Sequence, residues 1–214
     1  MSTKKKNVPS MVKDQTLIKK RREQMVKGAV SLFKEKGFHR TTTREIAKHS
    51  GFSIGTLYEY IGSKEDVLYL VCDSVYEEVM ERLEAHLDQK EAGMDYLKQA
   101  VRSLFKVVDE MQDEVLVMYQ EAKSLPHEAL PYVLKREEEM TQRVEEVVRD
   151  CCRQGVLDLD ERVIKLTAEN IMVKGHMWSF RRWTLSKRFT LEEYTDYQLE
   201  QLLGGLSSTN EAKS

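Results

Sequence analysis

The most informative stretch of the sequence is TTREIAKHSGFSIGTLYEYIGSK, from Thr42 to Lys64. Thr42 is followed three positions later by Glu45, and this spacing predicts a capping box at the start of a short helix. Ser53 is a favourable N-cap residue for a second short helix. Gly51 lies between the two, where a residue that tolerates a positive φ allows a sharp turn. The pattern therefore predicts two short helices joined by a tight turn.

The apolar residues of this stretch predict how the two helices pack. Ala47 is small enough for the second helix to approach closely, and Leu57, ten positions later, fills the space between the helices. Ile46 and Phe52 extend the same core. A small residue, a glycine and an aliphatic residue at these offsets indicate a helix-turn-helix.

Regular apolar spacing predicts helices along the rest of the chain as well. In the first of them, Met25, Ala29, Leu32 and Phe33 share one face, and Gly37 is expected to end the helix. Only 3 Pro and 10 Gly interrupt the 214 residues. The longer predicted helices cover residues 17–36, 63–89, 92–111, 113–124, 128–153, 160–185 and 191–203. We therefore expect an all-α protein.

Charge is distributed unevenly along the chain. Residues 1–64 contain 15 Lys or Arg residues and 5 Asp or Glu residues, a formal charge of +10, whereas the remaining 150 residues carry −12. This asymmetry suggests that the N-terminal end meets a polyanion and the rest does not. A basic tail that is simply solvated would produce the same numbers, so charge alone leaves both interpretations open.

The helix-turn-helix stretch resembles the DNA-binding domain of the TetR family of bacterial regulators. The resemblance covers residues 19–69 and rests on TTTREIA at 41–47, GFSIGTLYEY at 51–60 and SKE at 63–65. Elsewhere the chain is similar to the family in helical layout and length only. Ile61 stands where the family commonly has Phe, and we expect this change in the core to be tolerated. Glu59 places a carboxylate on the recognition helix, which bears on sequence preference because it repels phosphate or accepts from a cytosine amino group.

The resemblance implies an N-terminal three-helix DNA-binding domain followed by a C-terminal helical domain that binds a ligand and dimerises. We expect a basic flexible arm over residues 1–15, the helix-turn-helix domain over residues 16–62 and the effector-binding and dimerisation domain over residues 63–214. The function implied is that of a ligand-responsive regulator of transcription, by family default a repressor. A small hydrophobic or acyl-CoA-like effector, with fatty acyl-CoA as one candidate, would release it from its DNA operator.

Hydroxyl and basic side chains of the helix-turn-helix are the candidate DNA contacts. The recognition helix is expected to enter the major groove by its N-terminal end, where Gly55 permits close approach. The hydroxyls of Tyr58 and Tyr60 can reach phosphates or a base edge, and the resemblance implies phosphate contacts at helix starts, from Thr42 and Lys64. The full set of candidates is Thr42, Thr43, Arg44, Lys48, Ser53, Gly55, Thr56, Tyr58, Tyr60 and Lys64.

The last two long helices are expected from the resemblance to form a four-helix dimer interface with a second copy. The candidate interface residues are Val163, Leu166, Asn170, Ile171, Lys174, Met177, Tyr194, Leu199 and Leu202. Adaptable Met and aromatic side chains are candidates for an effector cavity. These candidates are Met80, Tyr96, Leu104, Met118, Tyr119, Met140, Trp178 and Arg181. Ordinary packing within one chain stays the alternative for both sets.

One run in this part of the chain is unusual in composition. The sequence GHMWSFRRW at 175–183 combines two Trp, a Phe and two Arg. It looks like segments of TetR-type regulators of lipid and acyl-CoA metabolism, and its arginines are suited to a carboxylate or phosphate. Stacking on Trp or pairing with an acidic helix is the alternative role for these arginines.

Other classes of protein fit the sequence less well. No Gly-rich phosphate loop, nucleophile elbow or Glu-x-x-His pair is present, so we expect neither an enzyme nor a metal or cofactor. The three Cys, two of them adjacent at 151 and 152, form neither a disulfide framework nor a zinc pattern, which favours a reduced, cytoplasmic protein. No stretch approaches the roughly 18 apolar residues of a membrane span. A protein-binding adaptor would leave the basic helix-turn-helix without a role, and a ligand-blind architectural DNA protein would leave the acidic remainder without one.

Overall fold

The computed structural model describes residues 7–87 and 93–211. In these two ranges the chain forms ten α-helices and one short 3-10 helix, Ala122–Ser124, and no strand. The helices are α1 Gln15–Lys36, α2 Thr43–His49, α3 Ile54–Tyr58, α4 Lys64–Leu87, α5 Met94–Glu110, α6 Gln112–Glu121, α7 Leu130–Arg153, α8 Glu161–Phe180, α9 Arg182–Leu185 and α10 Leu191–Glu211. The all-α fold expected from the sequence is confirmed.

Most helices begin at residues whose side chains replace missing backbone hydrogen bonds. The Asp14 carboxylate accepts from Leu17 N at the start of α1, and the Asp160 carboxylate accepts from Val163 N at the start of α8. The helix predicted over 160–185 is divided at Arg181 into α8 and α9. The predicted end of α4 at residue 89 lies outside the described residues, and α10 continues beyond residue 203 to Glu211.

The chain divides into two compact units, and the division does not follow chain order. The first unit runs to Tyr76 and also contains Asp113–Arg136, whereas the second contains Glu77–Gln112 and the chain from Glu137 onward. The sequence predicts instead that all residues beyond 62 form one effector-binding and dimerisation domain. Asp113 pairs with Lys34 at 2.6 Å, and this contact illustrates how the 113–136 segment joins the helix-turn-helix unit.

In the first unit, α1 supplies the central apolar face. Met25 and Ala29 are fully buried, and Leu32 and Phe33 are nearly so, as their spacing predicts. The Glu121 carboxylate accepts a hydrogen bond from Phe38 N at 3.1 Å. Because Glu121 ends α6, this contact fixes the turn between α1 and α2 against the 113–136 segment.

The N-terminal segment is packed where the sequence predicts a flexible arm. Residues 1–6 lie outside the described residues, but Val8 is only 4% exposed. Met11 N donates to Glu59 O at 2.8 Å, and α1 already begins at Gln15. The arm expectation is therefore corrected for residues 8–11, because an apolar side chain and backbone hydrogen bonds hold them.

In the second unit, α5 packs against α8 and α10. The Tyr194 ring lies 6.0 Å from the Phe105 ring and 5.0 Å from the Trp178 ring, measured between centroids. A Cβ atom added to Gly175 would lie 3.1 Å from the Phe105 ring, so the glycine permits the close approach of α8 to α5. No helix in the described ranges combines the length and the apolar character that a membrane span requires.

Candidate nucleic-acid interface

The start of α2 is held by the predicted capping box. Thr42 Oγ1 accepts from Glu45 N at 3.3 Å, and Thr42 N donates to Glu45 Oε2 at 2.9 Å. Lys36, at the end of α1, forms an ion pair with the other carboxylate oxygen of Glu45. The hydrogen bond from Lys36, followed by those from Thr42, lowers the pKa of Glu45 to about 2. The box therefore stabilises α2 and also ties it to α1.

The turn and the core between α2 and α3 have the geometry of a helix-turn-helix. Gly51 has a φ of +77°, the left-handed conformation that the turn requires. Ile46, Ala47 and Leu57 are at most 1% exposed. Ser53 caps α3 by accepting a hydrogen bond from Thr56 N at 3.0 Å. The residues selected by spacing in the sequence form the contact between the two helices.

Eight of the ten candidate DNA contacts lie on the surface of α2 and α3. Tyr58 is 44% exposed, and its hydroxyl lies 3.1 Å from Thr43 Oγ1. Ser53 Oγ lies 3.0 Å from Thr56 Oγ1. The eight surface candidates are Thr42, Thr43, Arg44, Lys48, Ser53, Gly55, Thr56 and Tyr58. Together they present hydroxyl groups and two cations, a combination suited to the phosphates and base edges of DNA.

Tyr60 differs from the expectation drawn from the sequence. It is only 5% exposed and belongs to the core of the first unit. Tyr58, the last residue of α3, lies outside the core, whereas Tyr60 and Ile61 after it are buried. The hydroxyl contact to DNA expected of Tyr60 is therefore corrected to a packing role.

Lys64, which the sequence predicts to contact a DNA phosphate, has its ammonium group directed at protein partners instead. Its ammonium group donates to Phe38 O at 2.7 Å and to Thr41 O at 2.9 Å. The same group lies 4.2 Å from the centre of the Phe38 ring. These partners occupy the ammonium group, so Lys64 ties the start of α4 to the turn between α1 and α2 and positions the helix-turn-helix.

Ile54 is a surface residue of this face that the sequence reasoning passed over. It is the first residue of α3 and is 36% exposed. An apolar side chain at the leading end of a recognition helix is suited to contact with a thymine methyl group. The sequence could have indicated this exposed position, because Ile54 directly follows the cap residue Ser53.

The second unit contains a small apolar cavity of about 10 Å³, which is room for about one water molecule. Its lining belongs to α5, α7 and α8 and consists of Leu97, Ala100, Val101, Leu104, Val144, Val147 and Ile171. Leu104 is the one effector candidate among these residues. The cavity is far smaller than the about 300–1,000 Å³ that ligand pockets commonly have.

The other effector candidates are dispersed. Met118 and Tyr119 belong to the first unit, whereas the other five belong to the second. Tyr119 is 41% exposed, and Met80 is half-buried. Tyr96 and Met140 are buried in the second unit. Within the second unit, Leu104 lines the cavity described above and the other five candidates do not, because side-chain type alone does not determine which helix faces meet.

The arginines of the 175–183 run have protein partners. Arg182 forms an ion pair with Asp109 and lies 5.7 Å from the Trp178 ring. Trp178 Nε1 donates to the same Asp109 carboxylate at 2.7 Å. Arg181 is exposed and lies 5.3 Å from the Trp183 ring. The stacking and pairing alternative describes both arginines in this conformation.

The candidate dimer residues divide into a buried and an exposed group. Ile171, Tyr194 and Leu199 are at most 4% exposed and form the core of the second unit, so their assignment to an interface is corrected. Leu166 is 61% exposed, and Asn170 is also exposed. Val163, Lys174, Met177 and Leu202 are half-buried. Val173, Phe180, Trp183 and Tyr197 are exposed apolar residues of the same part of the chain that are not among the candidates.

Two other kinds of functional site are a reactive cysteine and a metal site. Burial raises the pKa of the Cys151 thiol to about 11, which disfavours the thiolate form that reacts with oxidants. No group of three or more His, Cys, Asp or Glu residues suited to a metal ion occurs among the described residues.

Family models and individual proteins match nearly the whole chain. The model of bacterial regulatory proteins of the tetR family matches residues 26–69, and that of the tetracyclin repressor-like C-terminal domain matches residues 90–202. The transcriptional regulator HbdR of Aromatoleum sp. (strain CIB) is 28% identical over 191 residues, which cover 89% of this chain and 82% of that protein.

Solved structures have the same fold. The TetR family regulator PfmR from Thermus thermophilus matches with a TM-score of 0.74 and 22% identity, over 85% of this chain and 98% of that one. AibR, solved in complex with isovaleryl coenzyme A and operator DNA, matches with a TM-score of 0.71 and 18% identity, over 85% of this chain and 97% of that one. At these identities the likeness shows the fold alone.

The two family models together span both halves of the chain, and the C-terminal model by itself covers more than half of it. The family consists of regulators of transcription, which confirms that the chain is not an enzyme. The chain belongs to the TetR family of bacterial transcriptional regulators.

Proposed function

We propose that this regulator is a homodimeric repressor that binds an operator through α2 and α3 and is released by a small hydrophobic or acyl-CoA-like effector. The observation that carries the DNA-binding part is the surface formed by the exposed Tyr58 and the half-buried Thr43 and Thr56, with the exposed Arg44 and Lys48 beside it. Hydroxyls and cations on a rigid helix-turn-helix position a protein on DNA and read its base edges.

The apolar cavity supports the effector part of the proposal. Its lining contains no polar side chain, which suits an acyl chain or another apolar group. Since the cavity holds about one water molecule, an effector must bind a more open conformation of α5, α7 and α8. The match in fold to AibR, whose structure contains both isovaleryl coenzyme A and operator DNA, makes acyl-CoA thioesters the first class to screen.

The DNA-binding proposal is tested by fluorescence anisotropy. The purified protein is titrated onto DNA from upstream of its own gene and onto scrambled DNA, over a series of salt concentrations. A repressor should prefer the native fragment by at least about 10³-fold and lose affinity steeply as salt rises. Equal affinity for both fragments would favour an architectural role, and no binding at low salt would contradict the proposal.

The effector proposal is tested with the operator complex. Isovaleryl coenzyme A, longer acyl-CoA thioesters, free fatty acids and coenzyme A alone are added in turn, and release is followed by the drop in anisotropy. Ala100 lines the cavity, so Ala100→Leu should fill it and abolish release while operator binding persists. Ala85→Leu, the same change on the exposed side of α4, is the matched control and should respond normally. If the Ala100→Leu variant left the operator at the same effector concentrations as the unmodified protein, the effector would have to bind elsewhere.

A further inference from the structure

The end of the recognition helix is held by a segment far from it in sequence. Ser10 Oγ donates to Glu59 O at 3.0 Å, and Met11 N donates to the same oxygen at 2.8 Å. Val8 is buried, which anchors the beginning of the segment. Residues 8–11 thus lie across the C-terminal end of α3 as a strap.

Arg22 of α1 connects this strap to Tyr60, the residue after Glu59. Its Nε and Nη2 both donate to Tyr60 O at 3.1 Å. Nη2 also donates to Val8 O at 2.7 Å. The planar guanidinium group spans these two carbonyls at once, which a lysine ammonium cannot do with the same geometry. Residues 8–11 and Arg22 together are termed the arm clamp.

The clamped carbonyls belong to Glu59 and Tyr60, the two residues that directly follow α3. The last carbonyls of any helix lack intrahelical donors, and α3 has only five residues, so its own hydrogen bonds constrain its direction weakly. Glu59 O and Tyr60 O lie one and two positions after Tyr58, the last residue of α3. A small rotation at this end would therefore displace Tyr58 and Thr56 from hydrogen-bonding positions on DNA.

We propose that the arm clamp orients the recognition helix for sequence-specific binding, so that Arg22 acts as a positioning residue rather than as a DNA contact. This inference rests on the proposed function, because it explains how the DNA-binding face is held. The clamp should matter for preference among DNA sequences, which depends on base-edge geometry. It should matter much less for affinity to any DNA, which depends on charge.

Arg22→Lys is the first test because it keeps the positive charge and removes the two-carbonyl geometry. The variant should bind the operator at least about tenfold more weakly, with affinity for scrambled DNA within about twofold and an unchanged salt slope. Circular dichroism and a thermal melt establish that the variant is folded. An operator preference retained within twofold would overturn the proposal. If the unmodified protein showed no preference, the proposed function would fail instead.

Further variants separate the clamp from charge and from general stability. Arg40→Lys makes the same change where the guanidinium group donates to Lys36 O, and it should keep the operator preference. Deletion of residues 2–11 should reproduce Arg22→Lys, whereas deletion of residues 2–6 retains every clamp atom and should keep the preference. Ser10→Ala, which removes one donor to Glu59 O, should lower the preference about threefold even if Arg22→Lys fails to fold. Full loss of preference on deleting residues 2–6 alone would overturn the clamp in favour of the terminal lysines.

Discussion

Gly28 of α1 meets Ser50 at the end of α2 at very short range. A Cβ atom built on Gly28 would lie 2.4 Å from Ser50 Oγ and 3.3 Å from Ser50 N. Ser50 Oγ is itself buried and has no hydrogen-bond partner among the described residues. The contact therefore leaves no room for a side chain at position 28, and it buries a hydroxyl group whose burial is not compensated by a hydrogen bond.

Gly28→Ala should lower the free energy of unfolding by about 1–3 kcal/mol, because the added methyl group forces apart two packed helices. Ser50→Ala should be neutral or stabilising, since it removes a buried hydroxyl without a partner. The double variant should recover most of the loss, because the shortest contact disappears and alanine favours a helix by up to about 1 kcal/mol over glycine. Urea denaturation measures all three, and a double variant as unstable as Gly28→Ala would contradict the steric explanation.

Tyr58 is the exposed aromatic residue of the recognition helix, and its hydroxyl is the group expected to reach DNA. Tyr58→Phe should weaken operator binding about fivefold, because one hydrogen bond contributes about 1 kcal/mol. Thermal stability should hardly change, since the hydroxyl is on the surface. Tyr197→Phe, a change at another exposed tyrosine, is the control in the same anisotropy assay. Equal affinities of Tyr58→Phe and the unmodified protein would remove Tyr58 from the set of DNA contacts.

At the scale of elements, α8 has two faces with different surroundings. One face is buried in the second unit and carries His176, which is 6% exposed and lies 6.1 Å from the Phe180 ring between ring centroids. The other face exposes Leu166 and Val173. The inner face therefore contributes to stability, and the outer face is free to contact another chain.

Burial lowers the pKa of His176 to about 4 from the 6.5 of a free side chain. As pH falls from 6.5 to 4, the unfolded chain binds a proton that the folded chain does not, so stability decreases over this window by about 3 kcal/mol. His176→Gln should lose this part of the acid sensitivity in urea denaturation followed at several pH values. His49→Gln, at an exposed histidine, should keep it. Identical pH profiles for His176→Gln and the unmodified chain would contradict this account.

At the scale of the whole molecule, the exposed face of α8 carries an apolar stripe. Leu166, Val173 and Phe180 are spaced seven residues apart and are 61%, 61% and 39% exposed. Asn170 and Met177 lie between them on the same face. A seven-residue apolar repeat is typical of a helix that packs along another helix, which supports the proposed homodimer.

Val173→Glu should convert the protein from dimer to monomer, since it buries a carboxylate in the centre of the proposed interface. Operator affinity should fall at least about 100-fold, because the two half-sites are then no longer bound by one linked molecule. Light scattering coupled to size-exclusion chromatography measures the mass. Lys165→Glu adds the same carboxylate to α8 away from the stripe and should stay dimeric. A dimeric Val173→Glu protein would locate the interface on another surface.

Features that depend on residues a few positions apart could be predicted from the sequence. The capping box of Thr42 and Glu45, the cap at Ser53, the turn at Gly51 and the inward position of Leu57 are all present. Each follows from hydrogen bonds or side-chain spacing within one or two helical turns, which the local sequence specifies completely. The all-helical fold follows in the same way from the apolar period.

Which of these surfaces meet follows from the packing of the helices and not from the local sequence. The strap over Glu59, the inward turn of Tyr60, the contacts of Lys64 with Phe38 and the burial of Ile171 all depend on residues distant in sequence. A helical period shows that a face is apolar but not whether it packs within the chain or against a partner. That choice depends on shape and on long-range contacts, and these exist only once the helices have packed together.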